Sequence, residues 1–502
     1  MFASPRRVPS RTCAVRWGLD ALREVRHGLA TPMKPAATLL RRFCFPLLAL
    51  FLLPALVFPA APDDPLVPVG VARIDITPEL PIRLTGYQSR ATEAARIGAP
   101  LHARALALGA DADAPVVLVT AELIGIGAET ARIVSEGLER RFGLPRARLA
   151  LCATHTHNGP ALADVLPNMF ARDLPADETA RIAAYTVLVR ERLIEVAAAA
   201  LADRRPARVA WTQGRVGFAT QRRQVVDGKW KGFGIVPGGP VDHALPVLRV
   251  AAPDGTMRAL FLNYACHCTT LGGGDNFVHP DWAGDAATRL EAAHGGAAAL
   301  VAIGCGADAN PGLPRGPEGV PVHGAAVAAE VARLLPGAWR PLGPVTTAAY
   351  QVVQLPLDPA PDRAALEARR GPGTRAPAQY AAGRFLGELA AGRSLPAAVP
   401  LPVQTWTFGR ELVMVFLGGE VVAEYSLRLR RELDGPRLWI NAYANAVPCY
   451  VPSRRMYPEG GYEVDGSMDY YGWPTRLHPD TEDRLIGAVR GIVPVEFHAA
   501  RR

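Results

Sequence analysis

Short apolar runs of strand length recur along this chain and alternate with stretches that have helical spacing. Val116 to Thr120 and Leu149 to Ala153 are two such runs, whereas Ala176 to Arg204 repeats apolar residues at helical intervals and predicts a long surface helix. The other strand-length runs are Leu245 to Ala251, Met257 to Tyr264, Ala298 to Ile303, Thr346 to Leu355, Val413 to Leu417 and Leu438 to Tyr443. This alternation predicts an α/β fold with mixed β-sheets flanked by helices.

The chain shows no internal repeat and no clear domain boundary, so we expect one large domain over residues 66 to 497. Within it, Pro253-Asp254-Gly255 separates two of the runs and predicts a hairpin. The Ala-, Arg- and Pro-rich stretch from Asp358 to Pro400 is the least regular. It is expected to be an insertion with one helix or a mobile lid.

The formal charge of +8 is concentrated at the N-terminus, where residues 1 to 61 carry nine Arg or Lys against Asp20 and Glu24. Since the chain has 55 basic and 47 acidic residues, the remainder has 46 and 45 and is nearly neutral. It contains no basic stripe interleaved with aromatic residues, so nucleic-acid binding is not expected.

The N-terminal segment has the pattern of an export signal. Arg41 and Arg42 precede an apolar run from Phe43 to Phe58, which is followed by Pro59-Ala60-Ala61. We therefore expect residues 1 to 61 to be a signal peptide and the protein to be periplasmic or secreted. Met33 would open a signal of ordinary length and is an alternative start.

The alternative for this segment is an uncleaved membrane anchor. The apolar run is short for a bilayer span of roughly 20 residues, and it contains Pro46 and Pro54.

Cleavage would leave five cysteines, Cys152, Cys266, Cys268, Cys305 and Cys449, whose pairing the sequence does not define. Because no two are spaced as CxxC, a cysteine-only zinc site is not expected.

The strongest local motif is Thr154-His155-Thr156-His157-Asn158-Gly159-Pro160, directly after the run that ends at Ala153. If the strand continues, alternation places His155 and His157 on the same face. Two imidazoles there can share a metal, or one can bind metal while the other donates to a substrate. An isolated HxH is equally compatible with an ordinary polar loop.

Two further polar clusters follow predicted strands. Cys266-His267-Cys268 follows one run, with His279-Pro280-Asp281 close behind, and Gly304 to Gly312 follows another. In the second cluster Asp308 and Asn310 could position water or donate to a substrate oxygen. Considered alone, His267 would be a core histidine.

The order of these loops resembles the neutral and alkaline ceramidase family from Val69 to about Trp473. THTHNGP is similar to the family's THTHSGP, whose first histidine is a zinc ligand and falls on His155. The next histidine ligand falls on His267, the glutamate ligand on Glu420 in Gly418-Gly419-Glu420, and the tyrosine ligand on Tyr450 in Tyr450-Val451-Pro452-Ser453. The resemblance implies one zinc ion per chain.

The same resemblance implies a zinc-dependent amidohydrolase that acts on N-acylsphingosine-like lipids. His157 would donate to the oxyanion or the leaving amine, and Asp281 and Asp308 are weaker candidates for substrate binding. The substrate would be a small molecule or a lipid, the latter met at a membrane surface.

Two departures from the family pattern bear on the substrate. Asn310 stands where ceramidases have an active-site serine before proline, and an amide is not a nucleophile, so direct attack by zinc-bound hydroxide is expected. The chain also ends at Arg502, where the family continues into an immunoglobulin-like domain, so that domain is expected to be absent.

Two other functions stay open from the sequence. One is a related metal-dependent hydrolase of an ester or amide in a cell-envelope or polysaccharide-linked substrate. The other is a non-catalytic binding module that keeps the metal for structure. Structural zinc sites are usually closed by four strong ligands, often cysteines, whereas tyrosine is a weak ligand, and this favours catalysis.

Overall fold

The computed structural model describes residues 65–499, so the predicted signal peptide lies outside the described residues. The strands are β1 (Leu66–Asp75), β2 (His102–Leu108), β3 (Val116–Ala121), β4 (Leu149–Ala153), β5 (Arg205–Arg215), β6 (Ala219–Val226), β7 (Lys229–Val236), β8 (Ala244–Ala251), β9 (Met257–Tyr264), β10 (Ala298–Ile303), β11 (Ala309–Pro311), β12 (Arg340–Leu342), β13 (Thr347–Pro356), β14 (Ala398–Phe408), β15 (Leu412–Leu417), β16 (Glu420–Val421), β17 (Leu438–Asn441) and β18 (Tyr450–Val451). The helices are α1 (Ala128–Phe142), α2 (Ala176–Ala202), α3 (Asp281–Ala293), α4 (Gly319–Leu334), α5 (Arg363–Arg369), α6 (Ala376–Ala390), α7 (Ala423–Glu432), α8 (Met468–Tyr471) and α9 (Thr481–Ile492). Each predicted strand-length run is a strand within one or two residues, and the predicted long helix is α2.

The largest sheet has nine strands in the order β10-β9-β8-β5-β1-β2-β3-β4, with β12 also pairing with β5. It is mixed, because β3–β4 and β9–β10 are parallel pairs and the other pairs are antiparallel. The predicted hairpin is β8–β9. A second mixed sheet has the order β13-β14-β15-β17, and smaller sheets are β11-β6-β7 and β16-β18.

The two large sheets pack face to face and are covered by helices on their outer faces. Alternation along β2 sends Ala103 and Ala105 towards the core beneath α1 and α2, whereas Leu106 points towards the second sheet. On that inner side, Phe261 of the first sheet stacks on Trp439 of the second at 4.7 Å between ring centroids. The fold is therefore α/β with mixed sheets flanked by helices, as the sequence predicts.

The irregular stretch from Asp358 to Pro400 forms two helices, α5 and α6, rather than one. They pack on each other through Leu366, Ala381, Ala382 and Phe385. Asp469 of α8 accepts from Arg369 at 2.9 Å and from Arg375 at 2.8 Å, which ties the pair to the rest of the fold. A single-helix insertion was the wrong expectation, because a second helix is needed to bury the apolar face of the first.

The five cysteines after residue 65 are all buried and unpaired. Within residues 65–499 no helix is both long enough and apolar enough to cross a bilayer.

Candidate active site

Four loops that follow strands of the two large sheets bring His155, His267, Glu420 and Tyr450 together. The Nε2 atom of His155 lies 3.1 Å from Oε2 of Glu420, and Nε2 of His267 lies 3.3 Å from the same oxygen. The Tyr450 hydroxyl is 3.2 Å from Nε2 of His267. All four residues are at most 3% exposed, so the cluster is almost fully removed from water.

The two histidines of the THTH motif meet through a loop rather than through a continued strand. The strand β4 ends at Ala153, and His155 has a φ of 58°, in the left-handed region. The turn still brings Nε2 of His157 to 3.1 Å from Nε2 of His155. The expected convergence is present, but strand alternation was the wrong reason, because the backbone leaves the extended conformation before His155.

Glu420 and Tyr450 lie side by side because they are register partners in the short parallel pair β16–β18. Gly419, just before Glu420, has a φ of 79°, and a Cβ there would lie 2.9 Å from the Cys449 carbonyl oxygen. Only glycine accepts this conformation at this approach without strain. Gly419 therefore sets the distance between the two short strands.

The hydrogen bonds of both histidines leave their Nε2 atoms directed at the centre of the cluster. His155 Nδ1 donates to the Ile124 carbonyl at 2.6 Å, and His267 Nδ1 donates to the Gly306 carbonyl at 2.9 Å. Burial lowers the pKa of His267 to about 3, so its ring is neutral and Nε2 carries a lone pair. Histidine metal ligands are commonly oriented in this way, by donating the other ring N–H to a carbonyl.

The Glu420 carboxylate completes this acceptor-rich cluster. Burial raises its pKa, but the neighbouring His155 and His267 outweigh burial and hold the pKa well below its ordinary value. Tyr471 donates a short hydrogen bond to Oε1, and Tyr443 donates to Oε2 at 3.5 Å. Two imidazole lone pairs and an ionised carboxylate that face one another fit a divalent cation such as zinc. His157 is less buried than His155 and His267. The ligand atoms of these three histidines all lie within 4.8 Å of one another.

Arg222 on β6 contacts the same cluster and was not singled out from the sequence. Its Nη1 lies 3.2 Å from His267 Nε2, and its Nη2 donates to the Tyr450 hydroxyl at 3.2 Å. Its charge is balanced by Glu463 at 2.9 Å, which also pairs with Arg223. No sequence motif points to Arg222, because Arg222-Arg223 resembles an ordinary exposed basic pair.

A cavity of about 470 Å³ opens beside the cluster. Its lining includes the predicted residues His157, Asn310 and Tyr450, together with Arg222 and Arg315. Asn310 Oδ1 accepts from Arg222 at 3.3 Å and from the Thr269 hydroxyl at 3.4 Å. The remaining lining residues are Gly86, Tyr87, Gln88, Ser89, Met169, Thr220, Phe233, Gly234, Ile235, Thr269, Pro311, Tyr462 and Tyr470.

Asp281 and Asp308 do not line the cavity, and both are completely buried. Asp281 accepts from the backbone amides of Thr270, Leu271 and Trp282. Asp308 accepts from the Ala423 amide at 2.8 Å and from Gln221 at 2.7 Å. Their carboxylates hold the loops that carry the site rather than face the cavity.

Two solved structures are similar to this chain in fold. The crystal structure of neutral ceramidase from Pseudomonas aeruginosa is 19% identical with a TM-score of 0.61. A ceramidase complexed with C2 is 18% identical with a TM-score of 0.63. Each alignment covers 88% of this chain and 77% of the other.

The comparison with protein families is more specific than the similarity in fold. Residues 68–312 match the family described as neutral/alkaline non-lysosomal ceramidase, N-terminal. No curated protein sequence matches this chain. The matched segment includes His155, His157 and His267, the histidines of the buried cluster. Over residues 68–312, the chain matches the neutral/alkaline non-lysosomal ceramidase family.

Proposed function

We propose that this protein is a zinc-dependent hydrolase of an amide bond, with His155, His267, Glu420 and Tyr450 as the metal ligands. The observation that carries the proposal is the meeting of two Nε2 lone pairs and an ionised carboxylate within 3.1 to 3.3 Å. Such a group is costly to bury without a cation. Tyr450 is the weakest of the four ligands, since burial raises the pKa of its hydroxyl well above the ordinary value.

Zinc held there would polarise the scissile carbonyl and lower the pKa of a bound water to about 7. Residues of the chain would orient the substrate and the water around the zinc. His157 Nδ1 is buried and has no hydrogen-bond partner within residues 65–499, so it is available to a substrate or a water. Burial, with His155 and His267 nearby, lowers the pKa of His157 well below its ordinary value, which keeps the ring neutral.

Asn310 would act as a donor in place of the serine of ceramidases. Because Arg222 and Thr269 occupy its Oδ1, the amide NH₂ is the group left to donate into the cavity. An amide cannot attack a carbonyl, so water is the nucleophile in this proposal. Arg222, fixed by Glu463, orients both Asn310 and the Tyr450 hydroxyl.

The cavity beside the cluster favours catalysis over a purely structural metal, since His157 and Asn310 line a space that a substrate could occupy. The family match over residues 68–312 favours a fatty-acyl amide of the ceramide class as the substrate. We further propose export from the cytoplasm, on the basis of the N-terminal signal pattern. N-terminal sequencing of exported protein should then begin near Pro62, and retention of Phe43 to Phe58 would contradict export.

Metal analysis together with turnover tests the proposed function. Purified protein should hold about one zinc per chain and hydrolyse members of a panel of fluorogenic amides and esters. His155→Ala and His267→Ala should lose zinc and turnover yet stay folded, and Tyr450→Phe should bind zinc more weakly, because three strong ligands remain. Unchanged zinc in both histidine variants would refute the ligand set.

A further inference from the structure

The charge of the cavity is unusual for a site that would take only a neutral lipid amide. Its lining contains the arginines Arg222 and Arg315 and no aspartate or glutamate. The charge of Arg222 is compensated by Glu463 at 2.9 Å. The charge of Arg315 has no such partner, because it forms no ion pair with any carboxylate in residues 65–499.

Arg315 is held in place by backbone carbonyls. Its Nη2 donates to the Thr269 carbonyl at 2.5 Å, and its Nη1 donates to the Pro311 carbonyl at 3.3 Å. A guanidinium has five N–H donors, so three remain after these two bonds. The side chain is only partly buried. Arg315 therefore presents a fixed cation with unused donors to the cavity.

A second arginine, Arg90, forms no ion pair within residues 65–499 and lies behind Tyr87 of the cavity lining. Arg90 is 4% exposed and bonds only neutral oxygens: three backbone carbonyls and the Asn158 side chain. Its guanidinium lies 4.9 Å from the ring centroid of Tyr87, which lines the cavity. The carboxylate of Asp281, packed behind this region, is already bound by three backbone amides. Two guanidinium groups that form no ion pair within residues 65–499, Arg90 and Arg315, therefore lie on this side of the cavity, and Asp275 is the carboxylate whose charge acts on Arg90.

A fixed guanidinium that has no ion-pair partner suits an anionic group, because arginine binds carboxylates and related oxyanions through paired N–H donors. Another part of the lining offers apolar surface, since Phe233 and Ile235 of β7 line the cavity and are 48% and 47% exposed. A substrate that fits both parts has an acyl chain on one side of the amide and an anion on the other.

We infer that the cavity binds N-acyl amides whose amine portion carries an anionic group, as in N-acylated amino acids, and that Arg315 binds the anion. This inference rests on the proposed hydrolase function and narrows its substrate class. In the reaction, the C–N bond breaks and the oxygen of water joins the acyl carbon. The products are a fatty acid and the free amino acid, whose nitrogen takes up a proton from the water.

The test uses substrates that share one acyl chain and differ only in the amine portion. N-Dodecanoylglycine and N-dodecanoyltaurine carry a carboxylate and a sulfonate, and N-dodecanoylethanolamine carries a neutral hydroxyl. We expect wild-type kcat/KM to be at least tenfold higher for one of the anionic amides than for the neutral amide. The better of the two identifies the anion.

Arg315→Gln should lower kcat/KM on the anionic amide by roughly 10- to 100-fold, mainly through KM, and change the neutral amide by less than threefold. Arg315→Lys, which keeps the charge, should recover part of the loss. Arg140→Gln is the matched control, because Arg140 lies on the outer surface of α1 with 71% of its side chain exposed. Equal losses on both substrate types, or a wild-type preference for the neutral amide, would overturn the inference.

Calorimetric binding of N-dodecanoylglycine separates this inference from the proposed hydrolase function. If no amide is hydrolysed but binding weakens at least tenfold in Arg315→Gln, the hydrolase proposal fails and the anion site stands. If neutral amides are hydrolysed and Arg315→Gln binds N-dodecanoylglycine as tightly as wild type does, the hydrolase proposal stands and the anion site is refuted.

Discussion

Asn310 stands where the resemblance to ceramidases implies an active-site serine. Its Oδ1 is held by Arg222 and Thr269, so the orientation of its amide is fixed before any substrate arrives. A fixed donor costs little reorganisation during the reaction, which is why a single donor of this kind can be worth two to three orders of magnitude in rate. Asn310 is also adjacent to the cavity without being one of the proposed ligands.

We therefore predict that Asn310→Ala lowers kcat on the best amide substrate by roughly 10- to 1000-fold and leaves zinc content unchanged. Steady-state kinetics with elemental analysis measures both. Asn310→Ser, which restores the residue of ceramidases, should raise activity on a ceramide analogue if the rest of the cavity still accepts one. Full turnover in the alanine variant would show that Asn310 takes no part.

The sequence motifs identified the four side chains of the cluster, but they did not identify all of the residues that contact these side chains. His155, His267, Glu420 and Tyr450 stand in motifs with recognisable context, so their positions could be predicted. Tyr471, Tyr443 and Arg222 contact the same atoms from segments without a motif. A contact between residues 51 or more positions apart, such as Tyr471 with Glu420 or Arg222 with Tyr450, is made by the fold and leaves no local pattern.

At the scale of the elements, the short parallel pair β16–β18 positions two of the four proposed ligands. Its register places Glu420 beside Tyr450, and Gly419 allows the approach because a Cβ would meet the Cys449 carbonyl. The helix α7 begins three residues later, at Ala423. The short strand before it could not be predicted, because two residues carry no alternation.

We predict that Gly419→Ala separates β16 from β18 and lowers both zinc affinity and kcat/KM by at least tenfold. Gly409→Ala is the matched control, since Gly409 also has a positive φ, of 52°, but a Cβ there meets nothing within 4 Å. Both variants bear the backbone strain of a left-handed alanine, about 1 kcal/mol. Zinc titration and kinetics that fail to distinguish the two variants would contradict the role given to Gly419.

In the whole molecule, the proposed metal site joins the two large sheets. His155 and His267 follow β4 and β9 of the nine-stranded sheet, whereas Glu420 and Tyr450 follow β15 and β17 of the four-stranded sheet. The sequence predicted the strands and helices well because their apolar periodicity is local. It did not predict that two separate sheets meet at the site, because sheet order depends on contacts between distant segments.

Because the ligands come from both sheets, zinc should stabilise the packing of one sheet on the other. A ligand that binds only the folded state at 1,000 times its Kd contributes about 4 kcal/mol to the free energy of unfolding. We predict that a chelator lowers the Tm of the purified protein by about 5 °C or more, and that added zinc restores it. Differential scanning calorimetry measures the change, with His155→Ala as the control, since a variant that holds no zinc should not respond. An equal chelator effect in both proteins, or none in the wild type, would show that no metal links the two sheets.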